Sequence, residues 1–321
     1  MSRTTGISFF SVLLLCAFIL QGPGRTQGLD HPLMPQQGKL IIIGQQQDSI
    51  DGYIRNIGTV PGGIMIYTSV ENVDGLESPA DHQGGIMNAQ HYVNQYPHMV
   101  LQLALYMRGN LDDIIAGVFD FNIVKLARWM KSTGSPIYLR IGYEFDLPEN
   151  GYDPQKYQKA YRRIVDVLRA QRVDNVAYVW HSACRIEGGN KFMDWYPGDD
   201  YVDWFAVSIF NPMQIKVAED FFSIARRHNK SLMIAESAPA GLFSTRAKMD
   251  WFKHYFEFID HYDIKVVSYI NSDWQSYGLF KTMGWGDTRV EVDPAIQEMW
   301  ERRMRHGYLQ YSPDLNTELA A

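Results

Sequence analysis

Cysteine is nearly absent from this chain, with only Cys16 and Cys184 among 321 residues. Cys16 lies within the apolar run Ile7–Leu20, which follows Arg3 and is followed by Gln21-Gly-Pro-Gly24. A basic start, an apolar stretch of about 14 residues and a small-residue exit predict a secretory signal peptide over residues 1–27, cleaved between Gly24 and Gln27. The stretch is too short to serve as a membrane anchor. The expectation is therefore a secreted, extracellular protein with no membrane attachment after cleavage. The mature chain, residues 28–321, then keeps one cysteine. That excludes an intrachain disulfide and any thiolate metal cluster.

Other absences narrow the field further. The nine histidines include no His-x-His and no His-Glu-x-x-His, so neither metal nor cofactor is expected. Thirty basic against 36 acidic side chains give a net charge of −6, and no basic run is longer than the pairs Arg162–Arg163 and Arg302–Arg303. Nucleic acid is thus not an expected partner. No Gly-x-Ser-x-Gly elbow is present, which counts against a serine esterase. No low-complexity linker divides the chain, and hydrophobic residues make up 46% of it. A single large core is within its means.

Short β-rich runs alternate with longer helical patterns. Eight runs predict strands: 39–44, 63–69, 99–107, 136–142, 175–181, 203–210, 231–236 and 264–270. Helices are expected over 121–131, from the Asp153-Pro154 cap to about 172, over 217–228 and 245–262, and from Asp293-Pro294 onward. The span from Lys39 to His306 holds 268 residues, about 34 per unit. Continuous apolar strands at that spacing predict one α/β domain, a (β/α)₈ TIM barrel. The rival open sheet usually carries a glycine-rich turn after its first strand, and here Gly44-Gln-Gln-Gln-Asp48 stands in that place.

The mouth of such a barrel lies at the C-terminal ends of its strands. Strand four runs out through Arg140-Ile-Gly-Tyr-Glu144, and strand seven through Ile234-Ala-Glu236. A carboxylate at the end of an apolar run is costly without a partner or a task. Two of them facing across one mouth suit a retaining glycosidase, in which one carboxyl gives up a proton and the other attacks the anomeric carbon. Arg140 is expected to alternate onto the same face as Glu144 and steady a carboxylate there. Trp180 and His181 close strand five, while Asn271, Asp273 and Trp274 follow strand eight. Trp274 is the expected sugar-stacking ring. Tyr106 and Arg108 end strand three and could line a subsite. Cys184 reads as an inert buried thiol, and Asn229-Lys-Ser231 as a glycosylation sequon on the far face.

The stretch Arg140–Glu144, with Tyr152 and the helix over 157–168 after it, resembles the acid/base segment of glycoside hydrolase family 26, a group dominated by β-mannanases. Gly44-Gln45-Gln46, Gly62-Gly63-Ile-Met-Ile-Tyr67 and Tyr196-Pro-Gly-Asp-Asp-Tyr-Val-Asp-Trp204 are similar to further segments of that family. The resemblance implies Glu144 as acid/base and Glu236 as nucleophile, in a net-retaining hydrolysis of a β-linked polysaccharide. It departs in two places. Tyr143 stands where the mannanases carry His, and Phe210 where they carry a tyrosine that holds the nucleophile. A phenyl ring cannot donate that bond, so Glu236 needs another donor, with Tyr143 and Asn211 the candidates.

The resulting expectation is a monomeric endo-glycosidase that binds polysaccharide through Arg140, Tyr143, Trp180, His181, Phe210, Asn211 and Trp274. Mannan is the first substrate reading, with β-1,3-xylan, mixed-linkage glucan and sulfated polysaccharides open. The two departures keep a second reading in view, a carbohydrate-binding barrel without catalysis.

Overall fold

The computed structural model of the chain describes residues 32–82, 84–185 and 191–319. The expected signal peptide lies outside the described residues. Eight parallel strands form the centre: β1 Lys39–Gly44, β2 Gly63–Ser69, β3 Val100–Tyr106, β4 Ile137–Ile141, β5 Val176–Ser182, β6 Trp204–Ile209, β7 Ser231–Ser237 and β8 Val266–Ile270. Each pairs with the next, and β8 pairs back onto β1, with Leu40 opposite Val266 and Gly44 opposite Ile270. That closure removes both sheet edges and gives the expected (β/α)₈ barrel. The strands are buried on both faces, which explains why their sequences read as continuous apolar runs rather than alternating ones.

The outer layer consists of α1 Gln47–Ile57, α2 Ala89–Gln95, α3 Leu111–Ala116, α4 Asp120–Thr133, α5 Pro154–Ala170, α6 Pro212–Arg227, α7 Thr245–His261, α8 Gly278–Thr282 and α9 Pro294–Met304. No helix among the described residues is long and apolar enough to cross a membrane. Three helices open with proline in the first turn behind a capping side chain: Asp153, Asn211 and Asp293. Helix α6 begins five residues before the expected start. Asn211 accepts from the Met213 and Gln214 N–H groups and forms a capping box with Gln214, which outweighs the missing apolar periodicity there.

Between β5 and β6 the described residues hold only short 3₁₀ turns, at Lys191–Trp195 and Asp199–Tyr201. Aromatic side chains cover the barrel where a helix would otherwise pack. Trp180 stacks on Phe145 at 4.4 Å and contacts Tyr196, Phe205 and Phe221 at 4.8–5.1 Å. The opposite end of the barrel is plugged by the N-terminal segment. The Trp204 indole donates to the Pro32 carbonyl at 2.8 Å, and the Tyr138 hydroxyl donates to the Leu33 carbonyl.

Gly142 follows β4 with φ +55°, and a Cβ there would press on Met107 and lie 2.8 Å from Tyr157. Both the left-handed backbone and the lack of space demand glycine. Gly142→Ala is predicted to cost about 2–4 kcal/mol, summing backbone strain and overpacking. Urea unfolding measures this, and a loss below about 0.5 kcal/mol would contradict it.

Candidate active site

Pairing across the barrel sets which side chains face inward. Arg140 on β4 lies opposite Ala104 and Val179, and its neighbour two residues back, Tyr138, lies opposite Gln102. His181 on β5 and Ser208 on β6 share this inward face, as does Tyr67 on β2. On β7 a register shift intervenes. Val207 pairs with Ile234, but Ser208 pairs with Glu236, so Ala235 is an extra residue in that strand. Strict alternation would have turned Glu236 outward; the bulge turns it in. The buried amide of Gln102 supports the bulge by donating to the Ala235 carbonyl at 2.8 Å and accepting from Ser268 Oγ at 2.7 Å.

Glu144 reaches the same space by a different route. Strand β4 ends at Ile141, so alternation from Arg140 does not extend to Glu144, contrary to the expectation from sequence. Glu144 sits in a turn with φ +52°, an uncommon conformation for a non-glycine residue and one that clusters at functional sites. Several bonds hold the turn. Asn150 Nδ2 donates to the Glu144 carbonyl at 2.9 Å, Leu147 N–H donates to the same oxygen at 2.9 Å, and Phe145 N–H donates to the His181 carbonyl at 3.1 Å. The buried Asp146 carboxylate accepts from Ser182 Oγ and from the Ala183 and Arg185 N–H groups at 2.6–2.9 Å, tying this turn to the loop after β5.

The guanidinium of Arg140 has no solvent exposure and forms an ion pair with Glu236 through Nη1. Its carbon lies 5.2 Å from the centre of the Tyr67 ring and 5.3 Å from that of Tyr143, so π faces cover the cation on two sides. Burial is the largest single influence and opposes the guanidinium charge, but the Glu236 charge and the contacts with Tyr67 and Glu236 together outweigh it and keep Arg140 protonated. Nη1 also lies 3.3 Å from His181 Nδ1. Burial, then the Arg140 charge, pushes the His181 pKa well below its usual value, so the ring is neutral. His181 Nε2 is 3.0 Å from Ser208 Oγ, and Ser208 Oγ donates to Glu144 Oε1 at 2.6 Å.

The two carboxyls therefore occupy opposite electrostatic settings. Glu236 is matched by a fixed cation. Glu144 has its pKa raised to about 8, first by burial and then by the nearby Glu236 charge, against the lowering effect of the Ser208 bond. One carboxylate beside one carboxylic acid at neutral pH is the pairing that acid-assisted nucleophilic displacement requires.

The other residues singled out from sequence are distributed more widely. Arg140 and the Tyr67 hydroxyl both donate to Glu236; the Asn211 amide caps α6, and the Tyr143 ring packs on Arg140 and edge-on to Tyr67 at 5.3 Å. Trp180 faces outward into the aromatic layer behind β5 rather than the mouth. Trp274 is only 1% exposed, covered by Phe280 at 4.2 Å and Trp285 at 5.0 Å. Trp285 in turn contacts Phe210 at 5.0 Å, and Phe210, Phe280 and Trp285 are all partly exposed. These three give the β6–β8 side its accessible aromatic surface. Asn271 is buried and donates to Glu291 at 3.0 Å, while Asp273 caps a 3₁₀ turn. Tyr106 lies 6.3 Å from Tyr143 at the mouth. Cys184 is buried, and burial raises its thiol pKa well above the usual value. Ser208, Tyr67 and Gln102 were not singled out. Their signal in the sequence is a lone polar or hydroxyl group interrupting a buried strand.

Glu144 makes stability depend on pH. Its folded pKa of about 8 lies above the unfolded value of about 4.3, so its contribution is complete below the unfolded value and is lost as pH rises through the folded one. Glu144→Gln, which cannot ionise, is predicted to gain Tm relative to the wild type from pH 5 to pH 8, levelling above that. Calorimetry at pH 5, 7 and 9 checks it; a Tm difference independent of pH would contradict it.

Residues 123–279 match the family model described as Glycosyl hydrolase family 26. Over 95% of its length the chain is 34% identical to a protein named beta-1,3-xylanase TXYA from a Vibrio species, of which it covers 72%. Over 99% of its length it is 31% identical to a beta-1,3-xylanase from an Alcaligenes species, of which it covers 73%. Among solved structures, a family 26 β-mannanase from Bacteroides ovatus superposes with a TM-score of 0.63, covering 86% of this chain and 91% of that one, at 14% identity; this likeness is one of fold. The family model takes in both glutamates and the xylanase relatives match nearly the whole chain, so the chain belongs to glycosyl hydrolase family 26.

Proposed function

We propose that this glycosidase is a secreted, retaining endo-β-1,3-xylanase acting by double displacement, with Glu236 as nucleophile and Glu144 as acid/base. The observation that carries the mechanism is the split between the two carboxyls: Arg140 is paired with Glu236, while Glu144 is held protonated up to about pH 8. In the first step Glu144 gives its proton to the leaving glycosidic oxygen as Glu236 attacks the anomeric carbon, forming a glycosyl ester. Glu144, now a carboxylate, takes a proton from water as the water attacks that ester, releasing a sugar with retained configuration. Arg140 stabilises Glu236 as the free anion before attack and again as the leaving group in the second step.

The substrate reading moves from mannan to β-1,3-xylan. The relatives matched over 95% and 99% of this chain, at 34% and 31% identity, carry that name, whereas the mannanase likeness is at 14%. Tyr143 in place of the mannanase His is in keeping with this shift. The partly exposed rings of Phe210, Phe280 and Trp285 offer flat apolar faces of the kind that stack on sugar rings. Secretion rests on the N-terminal pattern of Arg3 and Ile7–Leu20.

Reducing-end release across β-1,3-xylan, β-1,4-xylan, β-mannan and mixed-linkage glucan tests the reading. The expected result is highest release from β-1,3-xylan as a ladder of oligosaccharides, reduced to background in Glu236→Ala. Faster release from mannan would overturn the substrate; wild-type rates in Glu236→Ala would overturn the nucleophile.

A further inference from the structure

We infer that Ser208 is a positioning residue that fixes which oxygen of Glu144 carries the transferable proton, its hydroxyl aimed by His181 and Arg140. This rests on the reading of Glu144 as acid/base. The argument begins with hydrogen-bond polarity. A guanidinium has only donors, so Arg140 Nη1 donates to His181 Nδ1 across 3.3 Å. Nδ1 is therefore the bare nitrogen of the neutral ring, and the ring proton sits on Nε2. That Nε2–H donates to Ser208 Oγ at 3.0 Å. With its oxygen engaged as acceptor, Ser208 directs its own proton to Glu144 Oε1 at 2.6 Å. The reverse polarity would set a Nδ1–H against the guanidinium N–H, donor against donor.

Every bond in this path thus points from Arg140 toward Glu144. The path starts at the nitrogen that also donates to Glu236, and a guanidinium Nη carries two hydrogens, enough for one bond to each. Ser208 itself is buried and sits directly opposite Glu236 in the shifted pairing of β6 and β7. The bulge that turns Glu236 inward therefore sets it in register with the serine that bonds Glu144.

Two chemical consequences follow. Oε1 of Glu144 is occupied as an acceptor in both protonation states, so the acid proton resides on Oε2, leaving one geometry for its delivery to the leaving oxygen. When Glu144 ionises after that delivery, the Ser208 bond becomes charge-assisted and stabilises the carboxylate that activates water. The groups that act on Glu144 from around it are Glu236 on β7, Arg140 on β4, Asp146, Tyr143 and Tyr152 from the segment after β4, and Cys184 after β5. Among the described residues the hydrogen bond shown to its carboxyl comes from Ser208.

The test compares wild type, Ser208→Ala, Ser208→Thr and His181→Phe by the pH profile of kcat/KM and by ¹³C NMR titration of the Glu144 carboxyl. Loss of a donor to the carboxylate should raise the basic limb and the NMR midpoint together by about 1 pH unit in Ser208→Ala. Ser208→Thr, which keeps the hydroxyl, should restore both. His181→Phe should shift both by a smaller amount, because the serine hydroxyl is then free to turn. An unshifted or lowered Glu144 midpoint in Ser208→Ala overturns the inference, whatever remains of turnover. Glu144→Gln separates the two ideas: wild-type kcat there would remove the acid/base reading itself, whereas an inactive Glu144→Gln with an unshifted Ser208→Ala removes only the role of Ser208.

Discussion

A guanidinium without solvent exposure inside a barrel must be compensated, and the site is arranged around that demand. Arg140 can neither lose its proton nor reach water, so Glu236 supplies the opposite charge and two tyrosine rings cover the cation. Once Glu236 is committed to that pair, a second carboxyl close by meets both burial and a like charge, and its proton is retained. Burial, reinforced by the same cation, keeps His181 neutral, and a neutral imidazole can accept from Arg140 on one side and donate on the other. Difference in role between two chemically identical side chains thus follows from burial and from which of them one arginine pairs with.

Holding these groups in place requires local departures from regular structure. Ala235 breaks the β6–β7 register, and Glu144 adopts a left-handed backbone at a cost of order 1–3 kcal/mol. Both departures are braced from outside the carboxyl pair: Gln102 and Ser268 under the bulge, Asn150 and Asp146 around the turn. The rigid barrel supplies the remainder. Its closed sheet and aromatic outer layer do not yield easily, so the strained positions keep a single arrangement.

The barrel itself was legible because each strand is buried on both faces, which leaves long apolar runs such as Lys39–Gly44 and Val100–Tyr106 unmistakable. Glu144 and Glu236 were visible as acids at the ends of such runs. Their surroundings were less so. Alternation predicts facing only while register holds, and neither the extra Ala235 nor the turn after Ile141 leaves a mark that alternation can read. Trp180 and Trp274 were placed near strand ends by position alone, but whether a ring faces the mouth or the helix layer depends on parity and on neighbours such as Phe145, Phe280 and Trp285. Asn211 is adjacent to the site in sequence, yet its amide is used by the start of α6. The donors to Glu236 are Arg140, which alternation placed beside the other carboxyl, and Tyr67, which carries no mark in the sequence beyond its place in a buried strand.

The central claim is that burial, together with the charge of the Arg140-paired Glu236, keeps Glu144 protonated. Titrating the ¹³C-labelled Glu144 carboxyl by NMR in the wild type and in Glu236→Gln tests it most directly. The account predicts a midpoint near 8 in the wild type and a lower one in the variant, since the like charge is gone and Arg140 is left uncompensated. A wild-type midpoint at the ordinary glutamate value of about 4.3, unchanged by the substitution, would contradict it.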